Sequence, residues 1–343
     1  MRAAVLKAFS DPLVIEEHPI PRPGPGEILV RVHAVGICGT DLKIWHGKKA
    51  DTPLPLVMGH EIAGEIAELG EGVTCVRTGM RGVVHFYCSC HRCELCSSNR
   101  ETLCTHMDGR LGFTRDGGLR EYLTVNAENF IEVGDDIALD QVCIVADAIS
   151  TVYRGLKKAG IQKDEKVLVV GLGGLGTHAV QVAQAMGGDV FGVDIDPRKL
   201  AYAAEYGCKR TVLSTKDPQE TADRLLQLSD GGFDIIVETA TRTSTVAVDL
   251  SVLKPSGRIV VLGYGAGDIS FDPYALVRRE VGIFGSRASS RQDVKDVLQM
   301  ILSGAVRPAI SKYYPLKDVN LALRSLETGD LLGRQVIRLI DTK

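Results

Sequence analysis

Short runs of alternating apolar and polar residues recur along the first part of the chain, up to about residue 135. Residues 28–33 (I-L-V-R-V-H) and 82–86 (G-V-V-H-F) are two such runs, and turns such as residues 21–26 (P-R-P-G-P-G) separate them. A period of two places successive side chains on opposite faces of a strand. This part of the chain is therefore predicted to form an antiparallel β domain.

From about residue 149 the pattern changes to short continuous apolar runs that alternate with helical segments. The apolar runs are residues 167–170, 190–193, 234–237 and 258–262. Strands that alternate with helices in this way are typical of a parallel, doubly wound sheet in an α/β domain. A helical stretch at residues 293–303 and a strand-like run at residues 335–340 follow, and their pattern alone does not assign them to either domain.

Composition and charge narrow the class of protein. The chain has 343 residues, of which 45% are hydrophobic, and this length allows two domains with separate cores. The formal net charge of −3 gives no reason to expect nucleic acid as a partner. No stretch reaches the roughly 18 to 20 apolar residues of a membrane span, and residues 1–9 do not resemble a signal peptide. We therefore expect a cytoplasmic protein with no membrane association.

Four cysteines are closely spaced in the run C-H-R-C-E-L-C-S-S-N-R-E-T-L-C, at Cys90, Cys93, Cys96 and Cys104. Such spacing is typical of a tetrahedral Zn²⁺ site. Disulfides are the alternative, but without an export signal clustered thiols favour a metal. Four protein ligands leave no coordination position open for a substrate, so this zinc is predicted to be structural.

A glycine-rich turn, G-L-G-G-L-G, directly follows the apolar run 167–170 and precedes a helical pattern. Strand, G-x-G-x-x-G and helix in this order are the context of a dinucleotide site, with the diphosphate at the helix N-terminus. The candidate cofactor contacts in this turn are Gly171, Gly173, Gly174, Leu175 and Gly176.

Asp194 ends the next predicted strand, where a carboxylate can accept hydrogen bonds from ribose hydroxyls and repel a 2′-phosphate. This favours NAD over NADP. A helix N-cap before Pro197 is the alternative role, and Asp196 fits it better. Arg198 and Lys199 can instead tolerate a phosphate, and Lys199 is retained as a candidate cofactor contact.

Three further groups can be assembled as zinc ligands: Cys38 in G-I-C-G-T-D, His60 in G-H-E, and Asp147 near the domain junction. Three protein ligands with one open position are the arrangement of a catalytic zinc. Because the three residues lie far apart in the sequence, their spacing alone is weak evidence, and a lone buried cysteine or histidine more often belongs to the packed core.

In order, G-I-C-G-T-D, G-H-E, C-x-x-C-x-x-C-x₇-C and G-L-G-G-L-G resemble the zinc-dependent medium-chain alcohol dehydrogenase family over essentially the whole chain. The resemblance implies a GroES-like catalytic β domain, residues 1–148 and 288–343, which carries both zinc sites. A Rossmann domain that binds NAD, residues 149–287, is inserted into it. The implied reaction is hydride transfer between an alcohol and NAD, with an aldehyde or ketone in the reverse direction, in a homotetramer or homodimer.

The resemblance also implies roles for individual residues. Asp147 corresponds to the third catalytic zinc ligand, Glu61 to a glutamate that becomes a fourth ligand when water or substrate leaves, and Asp41 to a carboxylate that orients His60. Thr40 corresponds to the hydroxyl residue that takes the alcohol proton. The remaining implied cofactor contacts are Thr151, at the nicotinamide, and Arg334, at the pyrophosphate.

Two positions depart from the family pattern. Many members have a proton-relay histidine where this chain has Lys43. Either burial shifts the Lys43 pKa low enough for it to take the proton, or another group such as His46 or water completes the relay. Arg287 stands where members that use simple alcohols often carry an aliphatic residue; it either favours a polar or anionic substrate or faces solvent or a neighbouring subunit. Phe86 and Trp45 either line the substrate pocket or belong to the core.

Three other functions are compatible with parts of the sequence. A zinc-ribbon protein that binds nucleic acid is disfavoured by the net charge. A zinc-free reductase of the same superfamily is disfavoured because Cys38, His60 and Asp147 are all present. A polyol or threonine-type dehydrogenase that acts on a polar or anionic secondary alcohol is the nearest alternative.

Overall fold

The computed structural model describes residues 1–265 and 270–340. The chain divides into two compact units. The first contains Met1–Asp147, Ser289–Leu298 and the segment that begins at Ile310, and the second contains Ala148–Ala288 and Gln299–Ala309. Residues 299–309, which the sequence analysis assigned to the first domain, thus cluster with the second unit.

Residues 1–147 form mainly strands. The elements are β1 (Arg2–Leu6), β2 (Val14–Glu17), β3 (Glu27–Ile37), α1 (Gly39–Trp45), β4 (Leu56–Val57), β5 (Glu61–Leu69), β6 (Arg81–Val84), α2 (Glu94–Ser97), β7 (Tyr122–Asn126), β8 (Phe130–Glu132) and α3 (Leu139–Val142).

Strands and helices alternate in the part that follows. The elements are α4 (Ala148–Ala159), β9 (Lys166–Val170), α5 (Gly176–Ala185), β10 (Asp189–Asp194), α6 (Pro197–Glu205), β11 (Arg210–Leu213), α7 (Pro218–Ser229), β12 (Phe233–Glu238), α8 (Thr243–Val252), β13 (Leu253–Val261), α9 (Pro273–Arg279) and β14 (Gly282–Gly285). The chain continues with α10 (Arg291–Leu302), β15 (Ile310–Pro315), α11 (Val319–Glu327) and β16 (Arg334–Arg338).

The first unit is built on a seven-stranded sheet in which β15, β16, β3, β5, β6 and β8 are neighbours in that order and β7 also pairs with β3. All of these pairs are antiparallel except β15 with β16. The long strand β3 is central because its apolar side chains, among them Val30, Val32 and Val35, are fully buried. The predicted antiparallel β domain is present, and β1, β2 and β4 form a separate small sheet beside it.

The second unit contains a six-stranded parallel sheet with the order β11-β10-β9-β12-β13-β14. Numbered within the unit this order is 3-2-1-4-5-6, the arrangement of a dinucleotide-binding Rossmann fold. Its strands are near-continuous apolar runs because helices cover both faces, and Phe191 and Phe233 meet edge to face in its core. The predicted fold class is confirmed.

Three helices of this unit begin with the same dipeptide. Asp196, Asp217 and Asp272 each accept a hydrogen bond from a backbone N–H in the first turn, and a proline follows each of them. Aspartate at the N-cap and proline at the first helical position satisfy the open end of a helix. Among the helices of residues 1–265 and 270–340, none has both the length and the apolar character required to cross a bilayer.

Candidate metal and cofactor sites

The four closely spaced cysteines converge on one point in the first unit. Each of the four sulfur atoms lies within 4.8 Å of the others. The Sγ atoms of Cys93 and Cys96 are 3.5 Å apart, and Cys93–Cys104 and Cys90–Cys96 are each separated by 3.9 Å. A tetrahedron of thiolates around Zn²⁺ at 2.3 Å has edges of about 3.8 Å. The arrangement therefore fits a four-coordinate zinc.

Local backbone geometry produces this arrangement. Cys93 is the N-cap of α2, and Cys96 lies in that helix. His91 and Asn99, on either side of the helix, adopt positive φ angles. Backbone N–H groups of Cys90 and His106 donate to Cys104 Sγ. All nine cysteines lie in the described part of the chain, and none forms a disulfide.

The second candidate cluster begins at α1, where Cys38 is the N-cap. Its sulfur accepts a hydrogen bond from Thr40 N at 3.3 Å, and its own N–H donates to Asp41 Oδ2 at 2.8 Å. This reciprocal capping fixes both the cysteine and the buried aspartate at the start of the helix. Thr40 itself is only partly buried.

His60, the residue just before β5, belongs to the same cluster. Its Nε2 lies 3.2 Å from Cys38 Sγ and 3.6 Å from Asp147 Oδ2, while its Nδ1 lies 3.3 Å from Asp41 Oδ1. Burial alone lowers the His60 pKa, but Cys38, Asp41 and Asp147 outweigh this effect and raise the pKa well above its ordinary value. A buried site with this excess of acidic groups favours a bound cation.

Glu61 completes the cluster, and the ligand atoms of Cys38, His60, Glu61 and Asp147 all lie within 4.8 Å of one another. One carboxylate oxygen of Glu61 pairs with the buried Arg334 guanidinium, and the other has no hydrogen-bond partner within the described chain. Burial raises the pKa of Glu61 to about 7 against the opposing charge of Arg334. The donor set of one thiolate, one imidazole and two carboxylates fits Zn²⁺.

Gly36 makes room for this glutamate. Gly36 on β3 is the register partner of Glu61 on β5. A Cβ atom at Gly36 would overlap Glu61 Oε2. Glycine is thus required at this position by the close approach of the side chain from the neighbouring strand.

Two aromatic rings lie next to His60. The Phe86 and Phe113 ring centroids lie 5.1 Å and 4.9 Å from the imidazole, and the two rings are stacked on each other. Both phenylalanines are buried, as is Trp45, whose indole N–H donates to Asp11 O. Sequence reasoning missed Phe113, because nothing in its local sequence indicates a contact with His60.

The two relay candidates differ in their surroundings. His46 is bonded on both ring nitrogens, to Ser10 Oγ at 3.1 Å and to Glu327 Oε1 at 2.8 Å. Lys43 is half-buried, and burial together with the charges of Lys48 and Lys49 lowers its pKa. Both ring nitrogens of His46 therefore have partners, and the part of either residue in a relay stays a prediction.

In the second unit, the glycine turn follows β9 and leads into α5, as predicted. Gly171 has φ +84°, and a Cβ atom at Gly176 would overlap Gly171 O, so both positions require glycine. Asp194, at the end of β10, accepts a hydrogen bond from Leu172 N at 2.7 Å and another from Asp196 N at 2.9 Å. The carboxylate that the sequence assigned to the ribose thus also anchors the glycine turn.

The residues that follow Asp194 and the other predicted cofactor contacts of this unit lie on different elements. Asp196 is the N-cap of α6 and pairs with Arg198, which lowers the Asp196 pKa to about 2. Lys199 lies in the first turn of α6, and Thr151 is a buried residue of α4. Arg287 follows β14 and is partly buried.

Comparison with known proteins finds matches to alcohol dehydrogenases along nearly the whole chain. Residues 24–135 match the model of the alcohol dehydrogenase GroES-like domain, and residues 174–303 match that of the zinc-binding dehydrogenase domain. An alcohol dehydrogenase from Moraxella sp. (strain TAE123) is 37% identical over 98% of this chain and 99% of its own length.

Solved structures agree with these matches. The alcohol dehydrogenase of Aeropyrum pernix superposes with a TM-score of 0.91 at 29% identity, covering 98% of this chain and 100% of that one. A structure described as an NAD-dependent alcohol dehydrogenase gives a TM-score of 0.92 at 25% identity over 99% of this chain and 100% of its own. Since the likeness covers both units and nearly every residue, the resemblance is confirmed, and this chain belongs to the zinc-dependent medium-chain alcohol dehydrogenase family.

Proposed function

We propose that this alcohol dehydrogenase holds a catalytic zinc with Cys38, His60 and Asp147, and that Glu61 is an exchangeable fourth ligand. The observation that carries this proposal is the convergence of the four ligand atoms within 4.8 Å of one another in a site that is largely buried. Cys90, Cys93, Cys96 and Cys104 hold a second, structural zinc. The enzyme therefore contains two zinc ions per chain.

The reaction is hydride transfer between an alcohol and NAD, and it runs from an aldehyde or ketone in the reverse direction. A Zn²⁺ ion in such a site supplies Lewis acidity, which lowers the pKa of a hydroxyl group and polarises a carbonyl group. The Thr40 hydroxyl accepts the proton that the alcohol loses and passes its own proton on towards water. Asp41 holds His60 in the orientation that a ligand requires, while Phe86 and Phe113 exclude water from one side of its ring.

The glycine turn from Gly171 to Gly176, with Gly173, Gly174 and Leu175 between them, binds the pyrophosphate of the cofactor at the start of α5. Asp194 accepts hydrogen bonds from the ribose hydroxyls and disfavours NADP, because its charge repels the 2′-phosphate. Thr151 contacts the nicotinamide, and Lys199 lies near the adenosine end. For Arg334, the buried pair with Glu61 supports a role in holding that glutamate, and its contact with the pyrophosphate stays a prediction.

Metal analysis tests the two-zinc proposal directly. Wild type is expected to contain two zinc ions per chain, and Cys38→Ala is expected to lose one of them together with NAD reduction by alcohols. Cys75→Ala is the matched control, because Cys75 is exposed and lies outside both cysteine-containing sites. A Cys38→Ala enzyme with full zinc content and full turnover would refute the catalytic site.

The substrate is an alcohol, and a panel of primary, secondary, polyol and acidic alcohols tests its class. If Arg287 selects a polar or anionic secondary alcohol, as in the alternative of a polyol or threonine-type enzyme, then Arg287→Ala should lower turnover of carboxylate-bearing alcohols more than that of matched neutral ones. Equal losses for both would remove Arg287 from substrate selection.

We further propose a cytoplasmic homo-oligomer, either a dimer or a tetramer. Free thiols that bind metals suit a reducing compartment. In the second unit, Phe284 on the edge strand β14 and Tyr274 and Val277 on α9 are exposed, and an exposed strand edge beside apolar side chains suits a second copy of the chain. Light scattering of wild type and Val277→Glu tests this: a monomeric wild type would refute it.

A further inference from the structure

Two carboxyl groups in the second unit are buried without a cation beside them. Glu238 is the last residue of β12, Asp249 lies on α8, and both are 0% exposed. Among the described residues, neither takes part in an ion pair. A buried carboxylate without a cation is costly unless hydrogen bonds satisfy it or a proton neutralises it.

The two groups meet these requirements in different ways. Glu238 Oε1 accepts hydrogen bonds from the backbone N–H groups of Ala240 at 2.7 Å and Thr241 at 2.6 Å. These two donors satisfy that oxygen of Glu238. Asp249 receives no such donor, and neither of its oxygens, nor Oε2 of Glu238, has a hydrogen-bond partner within the described chain. Burial, followed by the nearby charge of Glu238, raises the pKa of Asp249 well above its ordinary value.

The loop that Glu238 organises lies next to the glycine turn. Thr239 Oγ1 contacts the carbonyl oxygens of Val170 at 2.8 Å and Gly171 at 2.9 Å, and its N–H donates to Val170 O. Thr241 has φ +48°, an uncommon conformation for a threonine, and its hydroxyl donates to Gly263 O at 3.0 Å. The two N–H bonds to Glu238 hold the loop in this conformation.

The position of this loop gives it a role in ligand binding. Strand β12 is the neighbour of β9 on the side opposite to β10. The order of the strands along the sheet therefore reverses between β9 and β12. In a parallel doubly wound sheet, ligands bind at this reversal, at the carboxyl ends of the strands. The 239–241 loop and the Gly171 turn are the two chain segments that leave β12 and β9 at that point.

We propose that Asp249 carries a proton at neutral pH and donates it to Glu238, and that this pair positions the 239–241 loop and the Gly171 turn for the dinucleotide. Glu238 and Asp249 are positioning residues, since they act through the backbone of the loop. The inference rests on the proposed function only in taking NAD(H) as the ligand.

Fluorescence titration of the zinc-loaded full chain with NADH tests the proposal. Asp249→Leu removes the donor and leaves one oxygen of the buried Glu238 carboxylate unsatisfied, which should raise the Kd for NADH about tenfold or more. Asp249→Asn keeps a neutral donor and should bind within about twofold of wild type. Val246→Ala is the matched control, because Val246 is a buried apolar residue of the same helix.

The control separates positioning from stability. Val246→Ala should lower the free energy of unfolding and leave the Kd for NADH within about twofold of wild type. An Asp249→Leu enzyme that binds NADH like wild type would overturn the proposal. An Asp249→Asn enzyme that binds as weakly as Asp249→Leu, or an equal loss in Val246→Ala, would also overturn it.

If Asp249→Leu does not fold, a second measurement tests whether Asp249 carries the proton. Carbon-13 NMR of aspartate-labelled wild type should show one carboxyl that stays protonated at neutral pH, and Asp249→Asn should lack this signal. Absence of the signal from wild type would refute the shared proton. Failure of wild type to bind NADH would instead refute the proposed cofactor, and the NMR result would still decide whether the proton is shared.

Discussion

Arg334 and Arg338 stand at the two ends of β16 and allow the contribution of a buried ion pair to be measured within one strand. The Arg334 and Glu61 side chains are 6% and 0% exposed, whereas those of Arg338 and its partner Asp140 are 34% and 16% exposed. Replacing Arg334 by methionine keeps the length of the side chain and removes the guanidinium that pairs with the buried Glu61 carboxylate. Such a loss costs about 3–5 kcal/mol of unfolding free energy.

The partly exposed pair should contribute far less. For Arg338→Met we expect a loss of about 0.2–1 kcal/mol, because water screens the charges and solvates the remaining aspartate. Urea unfolding can be followed through Trp45, the single tryptophan of the chain, which is buried in the same unit. All variants should be compared at one buffered concentration of free zinc, because Glu61 belongs to the proposed metal site.

A double variant isolates the effect of the unpaired charge. Glu61→Gln combined with Arg334→Met removes both charges, so it should recover about half or more of the stability that Arg334→Met loses. If Arg334→Met costs no more than Arg338→Met at an equal denaturant slope, then the Glu61 charge finds another partner or accepts a proton at little cost. That result would refute the argument from burial.

Three further predictions concern the other sites. Cys93→Ser should yield protein with one zinc fewer per chain and a lower melting temperature, and Cys75→Ser should retain both zinc ions; equal metal content in the two variants would contradict a Cys₄ zinc. Asp194→Ser removes the acceptor of Leu172 N–H, so it should raise the Kd for NADH about tenfold and reduce the preference for NADH over NADPH. An unchanged ratio of the Kd values for NADH and NADPH would exclude Asp194 from that selection. Because folded Asp249 keeps a proton that the unfolded chain loses above about pH 4, wild type should lose stability relative to Asp249→Asn as pH rises, by up to about 1.4 kcal/mol per pH unit; a difference in urea midpoints that is constant from about pH 4.5 to 7.5 would contradict this.

Features that depend on near neighbours in the chain could be predicted from the sequence. The strand, glycine turn and helix around Gly171 are local, since the turn must lie between the elements that it joins. The Cys₄ cluster is almost as local, because its ligands fall within one short segment. Apolar periodicity likewise indicated an antiparallel sheet followed by a parallel one, because the side chains that each strand buries follow from its period.

Contacts between distant segments were decided by the tertiary structure alone. Arg334 and Glu61 are 273 positions apart, and their pairing depends on the register of β3 with β5 and β16 and on the space that Gly36 leaves. The approach of the Phe113 ring to His60, with ring centroids 4.9 Å apart, and the proposed pairing of Glu238 with Asp249 depend in the same way on how elements pack. No local pattern encodes such contacts, because each arises only when the folded chain excludes water and brings two buried groups within reach of each other.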